Sequence, residues 1–169
     1  SWKRPWYCAI IGIEVIDMRK LTLVSALFLL CAPAIVRADA AYVFIKGLDL
    51  MDAQKYDDGA AAFSAVLKED SGNYGARLHL GIAYARMGKL DDSVQELEKA
   101  AQANPAGPAA YYVLGMVHEK RKDYAKAKSA WERFIGISGD AEKKKTATEH
   151  LKRIEKLISD QAASKKEVK

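Results

Sequence analysis

Leu80-Gly81-Ile82-Ala83-Tyr84, then Gly88-Lys89-Leu90, then Leu97 and Ala100, and finally Asn104-Pro105: the fold of this chain is read from these positions. The landmarks have counterparts at one constant step toward either end of the chain. Gly81 lies midway between Gly47 and Gly115, Leu90 between Tyr56 and Tyr124, and Leu97 between Phe63 and Trp131. Ala100 lies between Val66 and Phe134. A further column, Gly59, Ser93 and Ala127, holds only small residues. Columns in one register over three copies define an internal repeat, and each unit of such a repeat must stack on its neighbours to bury its apolar face.

The column chemistry predicts how the units pack. Glycine inside a helix costs about 0.5–1 kcal/mol relative to alanine. Its return at Gly47, Gly81 and Gly115 therefore points to a packing role, where a paired helix comes close. The small column at Gly59, Ser93 and Ala127 allows the same approach from the other side, and Phe63, Leu97 and Trp131 fill the space between layers. A bulky group at Gly81 should overpack the pair and cost about 1–3 kcal/mol. Asp57, Asp58, Asp91 and Asp123 stand near the starts of the second helices, where the helix dipole favours negative charge. Gly88 suits a left-handed turn residue, and Pro108 a helix entry where a missing amide proton costs nothing.

Together these residues resemble the tetratricopeptide repeat, a helix–turn–helix unit of about 34 residues, with the middle copy as the best match. The copies fall at 41–73, 74–107 and 108–141. The resemblance implies an all-α, right-handed superhelical solenoid of three helix–turn–helix repeats. A capping helix is expected at 142–160, where Ala147, Leu151, Ile154 and Ile158 fall on one face and lysines occupy the other. Residues 161–169 read as a polar, flexible tail. Some positions depart from the family pattern. Lys46 precedes the first glycine, Leu50 and His118 replace the usual aromatic, and Ser71 and Gly139 replace the closing proline.

In this family the first helix of each pair lines a concave groove that receives a peptide or helix of another protein. Carried onto this chain, the groove positions are Phe44 and Leu48, then Leu78, His79, Ile82 and Arg86, then Tyr112, Met116, Glu119 and Lys120. The floor is mostly apolar, which suits an amphipathic helix or an extended hydrophobic segment. The alternative is that Phe44, Leu78 and Met116 are ordinary core, or are covered by the chain itself. Some members clamp a chaperone tail's terminal carboxylate. The corresponding positions here, Phe44, Leu48, His79, Ala109 and Val113, hold no lysine or arginine, so that activity is not expected. No catalytic residue, cofactor or metal is expected. His79, His118 and His150 are far apart in sequence, and Asp57-Asp58 and Asp91-Asp92 recur at helix starts. No phosphate loop, zinc pattern or nucleophile elbow is present.

Residues 18–40 read as a signal peptide. Met18-Arg19-Lys20 is a short basic start, Leu21 to Cys31 an uncharged apolar run, and small residues precede cleavage points after Ala38 or Ala40. An uncleaved inner-membrane anchor is the alternative, although the run is short for a span of about 20 residues. Lipidation at Cys31 is disfavoured by the bulky Phe28-Leu29-Leu30 before it. Residues 1–17 are expected to be upstream sequence outside the working protein, or an extension of the leader. Both cysteines, Cys8 and Cys31, precede residue 39, so a disulfide or thiolate metal site is not expected downstream.

The net charge of +5 comes partly from the segment 1–38, which holds five basic and two acidic groups and leaves +2 on the rest. A balance this even argues against nucleic acid as the main partner. Charge is lopsided, however: residues 39–119 carry a net −5 and residues 120–169 a net +7. Membrane contact is expected only through an uncleaved leader or the basic C-terminal end. The expected role is an exported, non-catalytic adaptor in envelope or secretion-related assembly, periplasmic if the source is bacterial. The alternative is a self-assembling homo-oligomer built by end-to-end stacking, acidic end to basic end.

Overall fold

The computed structural model describes residues 39–167, with side-chain surroundings through residue 163. The expected leader therefore lies outside the described residues, apart from Asp39 and Ala40, which open the first described helix. The described residues form seven helices and no strand: α1 (39–52), α2 (Tyr56–Glu69), α3 (Tyr74–Arg86), α4 (Leu90–Ala103), α5 (Pro108–Lys120), α6 (Tyr124–Ile137) and α7 (Ala141–Glu167). From α2 onward each helix packs on the next, and α3 also touches α5. That pattern is a stack of helix pairs, with α7 laid on the last pair.

The glycine column works as the sequence predicts. A methyl group built on Gly47 would lie 2.7 Å from Phe63, one on Gly81 2.6 Å from Leu97, and one on Gly115 2.5 Å from Trp131. Real side chains do not approach so closely, so each glycine admits the large residue that follows it in the pair. In the middle repeat Ser93 adds a buried hydrogen bond, its hydroxyl donating to the Gly81 carbonyl at 2.7 Å. Phe63, Leu97 and Trp131 are fully buried. The core falls into three clusters along the stack, around Phe63, around Leu97 and Leu114, and around Trp131 and Phe134.

One turn is built three times. Gln54, Gly88 and Lys122 occupy the same place in successive copies and have positive φ of 59°, 78° and 61°. The amides of Lys55, Lys89 and Asp123 reach back to the carbonyls of Leu50, Tyr84 and His118 at 2.8, 2.9 and 2.9 Å. The amides of Gln54, Gly88 and Lys122 bond Met51, Ala85 and Glu119 at 3.0, 3.3 and 2.9 Å. This is the Schellman closure of a helix C-terminus, which satisfies the last carbonyls and reverses the chain. Glycine meets the backbone requirement in the middle repeat; glutamine and lysine accept it in the outer two.

The loops between repeats carry their own caps. Asn73 caps α3 by accepting from the Ala76 amide at 2.9 Å, and Pro108 opens α5. Asp140 caps α7, accepting from the Lys143 amide at 3.0 Å, and that bond draws its carboxyl below the ordinary aspartate pKa. The capping helix is longer than its apolar stripe predicts, running past residue 160 to Glu167. Gln161 to Glu167 contains neither proline nor glycine and is rich in residues that favour helix, so nothing local stops it. Among the described residues, no helix is long and apolar enough to cross a membrane.

Candidate partner-binding surface

The first helices of the pairs, α1, α3 and α5, present the positions predicted to line a groove. Their side chains fall into three groups. Phe44, His79 and Phe63 form an aromatic cluster between α1, α3 and α2. Phe44 meets Phe63 edge-on at 5.6 Å and His79 at 5.7 Å, while His79 stacks on Phe63 at 5.4 Å. Burial lowers the His79 pKa, which favours its neutral form. Leu78 is buried in the core, and Leu48 and Ile82 are half-buried against it. These residues are more floor than handle.

The second group faces outward. Met116 is 40% exposed, and Arg86 and Lys120 are exposed. Tyr112 is half-buried, held edge-on against Trp131 and Phe134, each at 5.1 Å. Beside it, where the start of α5 faces the end of α6 and the start of α7, lies a pocket of about 260 Å³. Ala109, Tyr112 and Val113 form one wall, Phe134 contributes from α6, and Lys143 stands at the α7 side. Its lining comes mainly from the first helix α5 and the loop that leads into α7, which places it on the first-helix side of the stack.

Glu119 forms the third group, and its neighbours define its role. One carboxylate oxygen accepts from the Trp131 indole N–H at 2.7 Å and lies 2.7 Å from His150 Nδ1. The other accepts from Arg153 at 2.6 Å. The His150 ring also stacks on Trp131 at 4.9 Å. Glu119 is thus a node that ties α5 to α6 and α7 rather than a free charge on the groove rim. His150 and Arg153 lie outside the three copies of the repeat, so the repeat register carries no signal that they would meet Glu119. The Phe134 and Lys143 pocket walls escape sequence reasoning for a related reason, since they come from a second helix and the cap. Among the described residues, no group of three His, Cys, Asp or Glu is placed to hold a metal ion.

The sequence profile of the tetratricopeptide repeat matches residues 46–108 and 80–133, which together span more than half of the chain. The chain belongs to the tetratricopeptide-repeat family. Its helix order and lack of strands among the described residues agree with the right-handed solenoid of that family. Among curated proteins it is similar to anaphase-promoting complex subunit 3 of Schizosaccharomyces pombe, 28% identical over 80 residues. That match covers 47% of this chain and 12% of the relative's length. Among solved structures it resembles the first tetratricopeptide domain of Spaghetti (RPAP3) bound to the HSP90 peptide SRMEEVD, with a TM-score of 0.65 and 21% identity, covering 71% of this chain and 93% of that one. It also resembles the Yersinia enterocolitica type III secretion chaperone SycD in complex with a peptide of the translocator YopD, with a TM-score of 0.66 and 17% identity, covering 68% and 91%. At these identities the likeness is one of fold.

Proposed function

We propose that this tetratricopeptide-repeat chain is a non-catalytic adaptor that receives a peptide or helix of a partner protein along α1, α3 and α5. The observation that carries this reading is the pocket beside Tyr112, open next to the exposed Met116 on the first-helix side. A space of about 260 Å³ walled by Tyr112, Val113 and Phe134 accepts one large apolar side chain, and the half-buried Leu48 and Ile82 add apolar side chains on the other two first helices. Such anchors at helical or extended spacing are how grooves of this kind bind. The signal-peptide pattern at 18–40 supports an exported setting, periplasmic if the source is bacterial, and work in envelope or secretion-related assembly.

A photoreactive residue at Met116 tests the groove, with another at the exposed Ala65 on α2 as the control. The expected outcome is that a partner segment crosslinks at residue 116 and that Tyr112→Ala removes the adduct. Crosslinking at residue 65 alone would dispose of the groove reading. The mass of the exported chain reports whether the leader is cleaved.

One observation favours self-assembly as a second reading. On α1, Tyr42 and Ile45 are 69% and 58% exposed, and Asp49 and Asp52 lie on the same helix. The basic α7 ends the opposite side of the stack, so two copies could meet end to end.

A further inference from the structure

A second, larger recess lies on the other side of the stack. It measures about 390 Å³ and is lined by α4, α5 and α6, so it opens between successive second helices, away from the groove. Tyr111, Leu114 and His118 from α5 contribute to it, together with Ala130 and Arg133 from α6. His118 is 3% exposed, yet its Nδ1 has no hydrogen-bond partner; the nearest carboxylate, Asp123, is 3.9 Å away.

The repeat shows what such an occupant looks like. In the middle copy the places of Tyr111, His118, Ala130 and Arg133 are taken by Arg77, Tyr84, Glu96 and Lys99. There the corresponding site is filled by the chain itself. The Glu96 carboxylate, 14% exposed, bonds Arg77 at 2.9 Å and Lys99 at 2.6 Å. In the third repeat the carboxylate is replaced by the methyl of Ala130, whereas the cation persists as Arg133. Among the ion pairs of the described residues, Arg133 has no carboxylate partner; it bonds the Pro105 carbonyl at 3.3 Å and lies over the Tyr111 ring at 5.7 Å. The phenol of Tyr84 becomes the smaller imidazole of His118. An acid has been taken out, one of its two cations kept and the other replaced by Tyr111, and the space left open.

We propose that this recess binds a glutamate or aspartate side chain of a partner polypeptide, its carboxylate standing where that of Glu96 stands one repeat earlier. Arg133 supplies the charge-assisted hydrogen bonds, Lys126 adds positive charge at the edge, and the His118 ring forms part of the wall. Burial holds His118 neutral, with its pKa below the ordinary value, so an arriving carboxylate would pull that pKa back up. Glu98 on the α4 wall opposes the incoming charge. A peptide side chain is favoured over a small free acid because the filled version of the site, at Glu96, holds a carboxylate tethered to a helix. This site is independent of the groove on the opposite side.

The test is a titration of the 15N-labelled full chain with three probes: an alanine–glutamate peptide blocked at both ends, its alanine–glutamine counterpart, and sodium acetate. The glutamate peptide should give saturable shifts at Ala130 and Arg133 and raise the His118 pKa, while the other two should not. Arg133→Gln should weaken binding about tenfold. Glu98→Gln should strengthen it. Ala130→Glu, which rebuilds the middle repeat's own acid, should abolish it. Equal shifts from the glutamine peptide, equal binding of acetate, or an unchanged affinity in Arg133→Gln would each overturn the proposal, and Arg133→Gln keeps the test decisive even if Ala130→Glu fails to fold.

Discussion

Residue by residue, this chain solves one packing problem three times with different letters. The pairs Gly47–Phe63, Gly81–Leu97 and Gly115–Trp131 were legible in the sequence because a helical glycine is costly and recurs only where space forbids a side chain. The turn residues were half legible. Gly88 announced a left-handed backbone, whereas Gln54 and Lys122 adopt the same conformation under tertiary constraint, which residue type alone does not reveal. A left-handed L-residue costs about 1–2 kcal/mol. Lys122→Gly should therefore stabilise the fold by about 0.5–1 kcal/mol, the gain reduced by the greater freedom of unfolded glycine. A denaturant midpoint that falls instead would show that the lysine side chain matters there. His118 predicts a pH effect. Its folded pKa is lowered by burial, so the unfolded chain takes up the proton more readily. Stability is then full above the unfolded value of about 6.5 and is lost as pH falls from there through the lower folded value. His118→Phe should flatten that decline below about pH 6.5, leaving the remaining slope there to His79, whose pKa burial also lowers. Parallel curves for the two proteins would mean that His118 does not titrate on unfolding.

At the scale of elements, the capping helix departs most from what its sequence announces. Ala147 and Ile154 were readable as an apolar stripe, and both are fully buried. Its attachment was not readable, because His150 and Arg153 belong to no repeat column and meet Glu119 only once α5, α6 and α7 are stacked. The Glu119 carboxylate takes bonds from two helices at once, from Trp131 and Arg153. Removing it leaves the part-buried indole N–H without its acceptor and a cation beside it. Such losses cost about 1–3 kcal/mol. Glu119→Ala should accordingly destabilise the chain by that amount, and hydrogen exchange should quicken in α7 before it does in α3 or α4. Uniform quickening along the chain would mean that the stack unfolds as one unit and that Glu119 is no hinge between cap and body. The Lys128–Glu155 pair, 2.9 Å apart on the surface, also joins α6 to α7. Exposed pairs of this kind contribute little to stability because water and salt screen them, so Lys128→Ala should change little.

For the whole molecule, the repeat rhythm determined the order and pairing of helices, but the two cavities proposed for binding follow from breaks in it. The pocket beside Tyr112 needs the cap, and the recess beside His118 exists because Ala130 replaces an acid that the preceding repeat retains. Charge is the third molecular property, and its sign changes along the stack, from −5 over residues 39–119 to +7 over residues 120–169. Opposite ends attract, but only within reach of the solvent's screening. The Debye length is about 30 Å at 0.01 M salt and about 8 Å at 0.15 M. At low salt each end of one copy therefore senses the whole opposite end of another. At physiological salt only residues nearly in contact do so, and exposed ion pairs contribute little there. Sedimentation velocity of the full chain should show association at about 0.01 M salt that disappears by about 0.15 M. Association that survives about 0.5 M salt would instead be apolar, and the exposed Tyr42 and Ile45 on α1 are the surface to blame. In that case Tyr42→Glu should return the chain to a monomer and end-to-end stacking would displace the adaptor reading. If the salt-sensitive contact is the sole one, self-assembly does not persist under physiological conditions, and the groove and recess remain open to a partner.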